Sequence, residues 1–442
     1  MSELRVVRGG PLRGTVRVPG DKSISHRALL FGALADGTVE IEGLGQGEDN
    51  ASTARALEAL GVAVRLEGER ATVAGAGLAG LKEAAAPIDC GNSGTTMRLL
   101  AGLLAGRPFV STLQGDASLS RRPMGRVTKP LRFMGALIQG RQGDPEKPND
   151  IFPPLVVHGA ALQGIDYDLP VPSAQLKSAL LLAALQAKGV MRITEPGLSR
   201  DHSERILKAM GAPLAVDAAQ RLITVDTSGW NGKLEAGSLR VPGDLSSAAF
   251  LIVAALVVPD SDVTVENVGL NPTRTGLLDV LQAMGADLTV TPEGEVMGEP
   301  VGRVRARASQ LRGTVIDGEL SLRSIDEIPA LAVAAARAQG QSTFVELHEL
   351  RVKESDRIAS IARELGRAGF SVEVLPDGFT VEGAPEAEVK GGTVDPDHDH
   401  RIAMAGAIMG LVGADETVVP EADIATSFPT FAETLRALGA KV

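Results

Sequence analysis

The chain has 442 residues, 44% of them hydrophobic and 22% charged, with a formal net charge of −11. This length predicts two domains, and the acidic balance argues against a nucleic-acid or anionic-membrane surface, because such partners attract basic faces. The single cysteine, Cys90, excludes an internal disulfide, and the N-terminal MSELRVVRGG lacks an apolar signal core, so we expect a cytoplasmic protein without a membrane span.

Two strand-like runs, LRVVR and GTVRV, open the chain, and one unit then recurs six times. Each unit has a helix that is apolar on almost every face, such as SISHRALLFGALADG, then a strand, a second helix and one or two further strands. A helix that is apolar all round is predicted to be buried on every face. The second helices end in similar hexapeptides: LEALGV, LRFMGA, LKAMGA, LQAMGA, LGRAGF and LRALGA. Their glycines recur about every 75 residues, and each is expected to end its helix in the left-handed conformation.

The sequence RVPGD occurs twice, starting at Arg17 and at Arg240. The sixth unit ends one strand short and the N-terminus has two spare strands, so we expect the N-terminal segment to pair with the C-terminal half. The RVPGD copies then become the points where the chain crosses between domains. This predicts one domain of residues 1–20 plus 241–442, another of residues 21–240, and hinge crossings near 19–21 and 240–243. The alternative is that both copies are turns of equivalent repeats.

Polar side chains collect where the buried helices begin. They are Asp21, Lys22, Ser23, His26 and Arg27; Asn92, Ser93, Thr95 and Arg98; Ser173, Gln175 and Lys177; Asp326 and Glu327; and His398, His400 and Arg401. More basic residues mark the second helices, in SRRPMG, SRDHSE and RVKESDR. A helix N-terminus favours a bound anion, so these positions indicate a phosphate-bearing ligand. The alternative is capping or a solvated face, and Asp201 and Glu204 have the spacing of a capping box.

Other site types fit the sequence poorly. DHDHR, at 397–401, lacks a further ligand cluster at zinc spacing, and GNSGTT lacks the lysine of a P-loop. Cys90 is either a nucleophile or a small buried hydrophobe, and the latter is the commoner role of a lone cysteine. Trp230 and Tyr167 are the only residues of their kinds, which gives no support to stacking on bases.

Eight motifs occur in order along the chain: PGDKSISHR, GNSGTTMRL, RRPMGRV, SAQLKSALL, NPTRTG, LRVKESDRI, DHRIAMA and ATSFP. Together they resemble the 5-enolpyruvylshikimate-3-phosphate synthase family. The resemblance implies an inside-out α/β barrel of two domains, with six βαβαββ repeats, three per domain, and an active site in an interdomain cleft that closes on substrate. It implies transfer of the enolpyruvyl group of phosphoenolpyruvate to the 5-hydroxyl of shikimate 3-phosphate, with release of phosphate, by a monomer that needs no metal or cofactor.

The resemblance also implies residue roles. Asp326 would be the base and Glu354 the acid, with Lys22 assisting proton transfer. Shikimate 3-phosphate would contact Lys22, Ser23, Arg27, Ser173, Ala174, Gln175, Arg200, Asp326 and Lys353. Phosphoenolpyruvate would contact Lys22, Asn92, Gly94, Arg122, Gln175, Arg357 and Arg401, and the inhibitor glyphosate would compete there, with room left by Gly94 where some members have alanine.

One departure from the family pattern lies in ATSFP, where many members have a lysine near Thr426. Two alternatives to this reading of the motifs remain. One is UDP-N-acetylglucosamine enolpyruvyl transferase, whose loop cysteine has no evident counterpart here. The other is a repeat scaffold without catalysis.

Overall fold

The computed structural model describes residues 2–143 and 150–442. The chain divides into two compact units. We call residues 1–21, 242–295 and 299–442 the split unit, and residues 22–241 and 296–298 the middle unit. The backbone therefore leaves the split unit after Asp21 and re-enters it at Pro242, within the two RVPGD copies.

The helices, in chain order, are α1 Lys22–Leu34, α2 Glu48–Ala59, α3 Gly94–Ala105, α4 Gly125–Phe133, α5 Ala174–Ala184, α6 His202–Ala209, α7 Leu245–Val257, α8 Gly276–Ala283, α9 Gly318–Arg323, α10 Ile328–Ala336, α11 Arg357–Arg367, α12 His400–Gly410, α13 Glu421–Ala425 and α14 Phe431–Ala437. Short 3₁₀ turns cover Leu119–Arg121 and His348–Val352. No helix within the described residues has both the length and the apolarity that crossing a membrane requires.

The strands, in chain order, are β1 Glu3–Val6, β2 Arg13–Arg17, β3 Ala35–Glu42, β4 Val64–Glu67, β5 Arg70–Ala76, β6 Ile88–Asp89, β7 Val110–Gln114, β8 Leu137–Gln142, β9 Ile151–His158, β10 Asp166–Asp168, β11 Val190–Thr194, β12 Leu214–Asp217, β13 Leu222–Asp226, β14 Leu234–Glu235, β15 Ser238–Arg240, β16 Asp262–Gly269, β17 Asp287–Val296, β18 Glu299–Arg307, β19 Val315–Ile316, β20 Gly340–Phe344, β21 Ser371–Leu375, β22 Gly378–Gly383, β23 Gly392–Thr393 and β24 Thr417–Pro420.

The strands form a repeated sheet in both units. In the middle unit the orders are β14-β3-β5-β4, with β15 also on β3, then β6-β7-β9-β8 and β10-β11-β13-β12. In the split unit they are β17-β18-β16-β2, β19-β20-β22-β21 and β1-β24-β23. Every sheet contains at least one parallel pair, such as β6 with β7, beside an antiparallel pair, such as β7 with β9. The N-terminal strands β1 and β2 pair with β24 and β16, so both ends of the chain stabilise one unit.

Each unit has its own apolar core, and the first helix of each repeat lies within it. In α1 every residue from Ile24 to Leu34 is buried, including His26 and Arg27. By contrast, α11 buries Ile358, Ile361 and Leu365 on one face and exposes others. Burial on every face leaves the N-terminal end of a core helix as the place where polar side chains can reach a ligand.

The six repeat glycines have positive φ angles between 79° and 114°: Gly61, Gly135, Gly211, Gly285, Gly369 and Gly439. Each follows the last turn of its helix, which confirms the predicted C-terminal caps. The predicted capping box is wrong. Asp201 makes no side-chain capping bond to α6 and instead pairs with Arg205 Nε at 2.9 Å. Glu204 turns into the core, where its Oε1 lies 2.6 Å from Lys177 Nζ.

Candidate active site

Lys22 is the first residue of α1 in the middle unit. Its Nζ lies 3.0 Å from Oδ2 of Asp49 in the first turn of α2, and both side chains are largely buried. The Asp49 carboxylate fixes the position of the Lys22 ammonium, and the Lys22 side chain stays partly exposed. Asp49 lies in the segment GQGEDN, where acidic residues of a helix first turn are common, so the sequence offered no signal of this role.

The turn that precedes α3 carries the predicted Asn92 and Gly94. The Asn92 side chain accepts a bond from Arg122 Nη2 at 2.7 Å and donates one to Asp116 Oδ2 at 2.7 Å. Ser93 caps α3, since its Oγ accepts from Thr96 N at 3.1 Å. The turn therefore places Arg122 beside the N-terminus of α3, which is an arrangement that attracts anions.

Arg98 and Gln175 also lie beside the start of α3. Arg98 Nη1 donates to Gln175 Oε1 at 2.8 Å, and Gln175 Nε2 donates to Thr95 Oγ1 at 2.9 Å. A methyl group built on Gly94 would lie 2.8 Å from Arg98 Nη1 and 3.4 Å from Arg122 Nη1. Two guanidinium groups thus border Gly94. Arg98 belonged to the polar cluster seen in the sequence but was not among the predicted ligands.

Arg27 is 2% exposed and bonded on three sides. Nε donates to Ser203 Oγ at 2.7 Å, Nη2 to Ser178 Oγ at 2.7 Å, and Nη1 to the Ser23 carbonyl at 2.8 Å. These bonds join the start of α1 to the second turn of α5 and the start of α6. Ser173 caps α5 through Leu176 N at 3.4 Å.

The loop that contains Arg200 is held by a buried ion cluster. Lys177 Nζ lies 2.9 Å from Glu195 Oε2 and 2.6 Å from Glu204 Oε1, and all three side chains are buried. Burial lowers the pKa of Lys177, but the two carboxylates outweigh it and raise the pKa above its ordinary value. Lys177 therefore stays charged and fixes both ends of the segment 195–204, in which Arg200 is half-buried.

His26 belongs to a buried chain of hydroxyl groups. Its Nδ1 lies 2.7 Å from Thr53 Oγ1, Thr53 Oγ1 lies 2.7 Å from Thr96 Oγ1, and Thr96 Oγ1 donates to Ser93 Oγ at 2.8 Å. Burial lowers the pKa of His26 to about 3. The neutral ring thus links α1 to the Asn92 turn, which is a structural role.

Arg357, the first residue of α11, lies at the centre of the polar cluster of the split unit. It is 1% exposed, and its Nε and Nη2 bond Asp399 Oδ2 and Oδ1 at 2.7 and 3.2 Å. Its Nη2 also bonds Glu354 Oε2 at 2.8 Å. Burial lowers the pKa of Arg357, but the carboxylates, Asp399 foremost, raise it above the ordinary arginine value. Arg357 therefore remains a fixed cation.

Asp326 is reached by three cations. Its Oδ1 lies 3.3 Å from Lys353 Nζ and 3.4 Å from Arg357 Nη1, and its carbonyl accepts from Arg401 Nη1 at 2.8 Å. Asp399 caps α12 by accepting from Arg401 N at 2.9 Å. The fold thus gathers Asp326, Lys353, Glu354, Arg357 and Arg401 in one cluster, together with Asp399.

Several other candidate residues from the sequence lie outside these polar clusters or lack the chemistry considered for them. Cys90 is buried, and burial raises its pKa to about 12, so it is unsuited to nucleophilic attack. His398 is largely exposed and lies 3.5 Å from Asp423. No residue of DHDHR belongs to a group of three or more possible metal ligands within the described residues. Thr426 ends α13 as its C-cap.

Known proteins match nearly the whole chain. A family model described as EPSP synthase (3-phosphoshikimate 1-carboxyvinyltransferase) matches residues 6–435. A relative named 3-phosphoshikimate 1-carboxyvinyltransferase from Synechococcus sp. (strain JA-3-3Ab) is 50% identical over 97% of this chain and 94% of its own. One of the same name from Bacillus thuringiensis subsp. konkukian (strain 97-27) is 46% identical over 97% of each chain.

Solved structures match as well. An EPSP synthase from Acinetobacter baumannii has a TM-score of 0.85 and 42% identity, over 99% of this chain and 98% of its own. The enolpyruvyl transferase NikO from Streptomyces tendae has a TM-score of 0.78 over 99% of this chain and 98% of its own, and at 19% identity it shows the shared fold alone. The predicted two-domain α/β fold is thereby confirmed.

Proposed function

This chain belongs to the EPSP synthase family, and from that membership we infer the reaction that the described side chains serve. The protein transfers the enolpyruvyl group of phosphoenolpyruvate to the 5-hydroxyl of shikimate 3-phosphate and releases inorganic phosphate, as a step of aromatic amino acid biosynthesis. Both substrates are phosphorylated metabolites, and we place the reaction in the cytoplasm. The single observation that supports the residue roles best is Arg357, a buried and permanently charged group in contact with Asp326 and Glu354.

Phosphoenolpyruvate needs cations for its phosphate and its carboxylate. On the middle unit, Lys22, Arg122 and Gln175 supply donors around Asn92 and Gly94. On the split unit, Arg357 and Arg401 supply two guanidinium groups whose geometry suits a planar carboxylate. Every residue assigned to the two substrates belongs to one chain, and we propose that the protein works as a monomer.

Shikimate 3-phosphate binds mainly to the middle unit. Ser23 and Arg27 on α1, Ser173 to Gln175 at the start of α5, and Arg200 in the loop held by Lys177 form its contacts. Arg27 is already bonded to three oxygens, so it acts chiefly by fixing Ser23 and the α5 start. Lys353 and Asp326, which pair with each other at 3.3 Å in the split unit, are the groups that we assign to the hydroxyl that reacts.

Asp326 removes the proton of that 5-hydroxyl as its oxygen attacks C2 of phosphoenolpyruvate. Lys353 and Arg357 favour the ionised form of Asp326, which is the form that a base requires. The C2–C3 double bond becomes single as C3 gains a proton, which gives a tetrahedral intermediate. Phosphate then leaves C2, and the Glu354 carboxylate formed in the first step accepts one C3 proton, which restores the double bond in the product.

Glu354 supplies the C3 proton, and Lys22 assists where charge collects on the phosphate. In the ligand-free protein Arg357 Nη2 bonds Glu354 and favours its ionised form. To donate a proton, Glu354 must be protonated when phosphoenolpyruvate is bound, so the proposed role requires the Arg357 contact to weaken in the complex. In this proposal, substrate binding puts Glu354 into the form that can donate a proton.

A phosphate-release assay with both substrates tests the reaction, and omission of either one is the control. Glu354→Gln and Asp326→Asn should each lower kcat by about 10²-fold or more and bind shikimate 3-phosphate within about tenfold of the unsubstituted protein. Near-normal kcat in either variant would remove that residue from proton transfer. Absence of phosphate release by the unsubstituted protein would contradict the reaction itself.

A further inference from the structure

Arg274, in the motif NPTRTG, lies in the split unit just before α8 and is 3% exposed. Its guanidinium contacts three carboxylates. Nη1 lies 3.2 Å from Asp21 Oδ2, while Nη2 lies 3.2 Å from Asp244 Oδ1 and 3.3 Å from Glu327 Oε1. Nη2 also donates to Ser246 Oγ, and that hydroxyl donates to Glu327. None of these residues has a role in the reaction described above.

Each of these three carboxylates lies at or next to a crossing or a residue of the candidate site. Asp21 directly precedes Lys22, at the point where the chain leaves the split unit. Asp244 follows the return crossing and caps α7 through Ser246 N at 2.8 Å. Glu327 directly follows Asp326 and occupies the N-cap position of α10. One side chain thus connects both crossings to the backbone that presents Asp326.

The two crossings are already joined without Arg274. Asp21 N donates to the Pro242 carbonyl at 2.8 Å, and Asp244 N donates to the Pro19 carbonyl at 2.9 Å. The return crossing is also linked to Glu327 by the hydroxyl of Ser246, two residues beyond Asp244. Arg274 adds a direct charged link from both crossings, through Asp21 and Asp244, to Glu327 at the start of α10.

The chemistry of the cluster requires arginine. Three carboxylates that are almost fully buried would repel one another without a cation between them. A guanidinium has a rigid planar fork that serves several acceptors at fixed angles, whereas an ammonium is a point charge on a flexible stem. A lysine at this position could neutralise the cluster but could not hold the three segments in one geometry.

We propose that Arg274 is a positioning residue, which holds Asp21 and Glu327 and thereby fixes the backbone from which Lys22 and Asp326 project. It contacts no substrate. The inference rests on the roles proposed for Lys22 and Asp326, and it predicts a loss in the chemical step that exceeds any loss in substrate binding.

Steady-state kinetics on Arg274→Lys and Arg274→Gln test the proposal. Arg323→Gln is the matched control, because Arg323 supports the same loop through the Pro272 carbonyl at 2.7 Å and Thr275 Oγ1 at 2.9 Å but contacts neither crossing. We expect kcat to fall by about 10²-fold in both Arg274 variants, the scale of a small misplacement of reacting groups. KM for either substrate should stay within about threefold, and the control should keep kcat within about threefold.

Thermal midpoints measured beside the kinetics separate folding from positioning. If the Arg274 variants fail to fold, Glu327→Gln and Asp21→Asn can be used instead, because each weakens one contact of the cluster. Each should lower kcat by about tenfold. The loss in the double variant should be smaller than the product of the two single losses. Near-normal kcat in the folded Arg274 variants or in both single-arm variants, a rise in KM alone, or an equal loss in Arg323→Gln would overturn the proposal. An active Asp326→Asn variant would instead contradict the assigned base, whatever Arg274 does.

Discussion

Substitution of Asp399 tests how the split unit stabilises the buried guanidinium of Arg357. It is 0% exposed, bonds Arg357 through both oxygens at 2.7 and 3.2 Å, and caps α12. Asp399→Ala removes all of these bonds, and among the described residues it leaves Glu354 and Asp326 as the carboxylates that pair with Arg357. Breaking a buried pair costs about 3–5 kcal/mol, and the two remaining carboxylates place the loss near 3 kcal/mol.

Asp356 is the matched control for this change. It also caps a helix, α11, through Ala359 N at 3.1 Å, and it also pairs with an arginine, Arg351, at 3.0 Å. That pair, however, is about one-third exposed. Asp356→Ala should therefore cost about 1 kcal/mol, the usual value of a cap with a solvated ion pair.

Differential scanning calorimetry measures both losses. For a unit of roughly 200 residues each kcal/mol lowers the midpoint by about 2–4 °C, so Asp399→Ala should lower the midpoint of the transition that includes the split unit by about 6–12 °C. Asp356→Ala should lower it by no more than about 4 °C. KM for phosphoenolpyruvate should rise only in Asp399→Ala, since Arg357 loses its orientation there. Equal midpoints in the two variants would refute the argument from burial.

Three further changes test other parts of the molecule. Gly94→Ala brings a methyl group within 2.8 Å of Arg98 Nη1 and should raise the inhibition constant of glyphosate more than KM for phosphoenolpyruvate, so an unchanged constant in a competition assay would contradict the steric account. His26, whose pKa falls from 6.5 to about 3, stabilises the fold above pH 6.5 and loses that contribution as pH falls toward 3, by about 1.4 kcal/mol per pH unit. Urea midpoints of His26→Gln should show a weaker pH dependence over that window. Binding of shikimate 3-phosphate with phosphoenolpyruvate should compact the protein, and an unchanged radius of gyration in small-angle scattering would exclude closure.

The repeat was readable from the sequence because it rests on local rules. A glycine such as Gly135 can take a φ of 114° at no steric cost, and the core helices are apolar on all faces. The same logic located the polar helix starts, which is why Lys22, Asn92 and Arg357 appear where they were expected. Local residue patterns are sufficient to predict structure where the fold repeats the same unit.

Partners that are distant in the chain could not be read in this way. Glu204 has the spacing of a capping residue relative to Asp201, yet it pairs with Lys177, because a buried ammonium gains more from a carboxylate than a helix end gains from a cap. Asp399 lies 42 residues beyond Arg357, and Arg274 lies 253 residues beyond Asp21. No period or motif in the sequence relates such positions, since tertiary folding alone brings them together.

These pairings also explain how a chain with a net charge of −11 can hold two anionic substrates. The middle unit supplies Asp49 to Lys22, and the split unit supplies Asp399 to Arg357, so each cation is compensated before any ligand arrives. Compensation keeps a buried cation from destabilising the fold and fixes its direction. The Asp399 side chain is 0% exposed, whereas those of Asp326 and Glu354 are 14% and 22% exposed. This difference in exposure agrees with the proposed roles, in which Asp399 holds Arg357 while Asp326 and Glu354 take part in proton transfer.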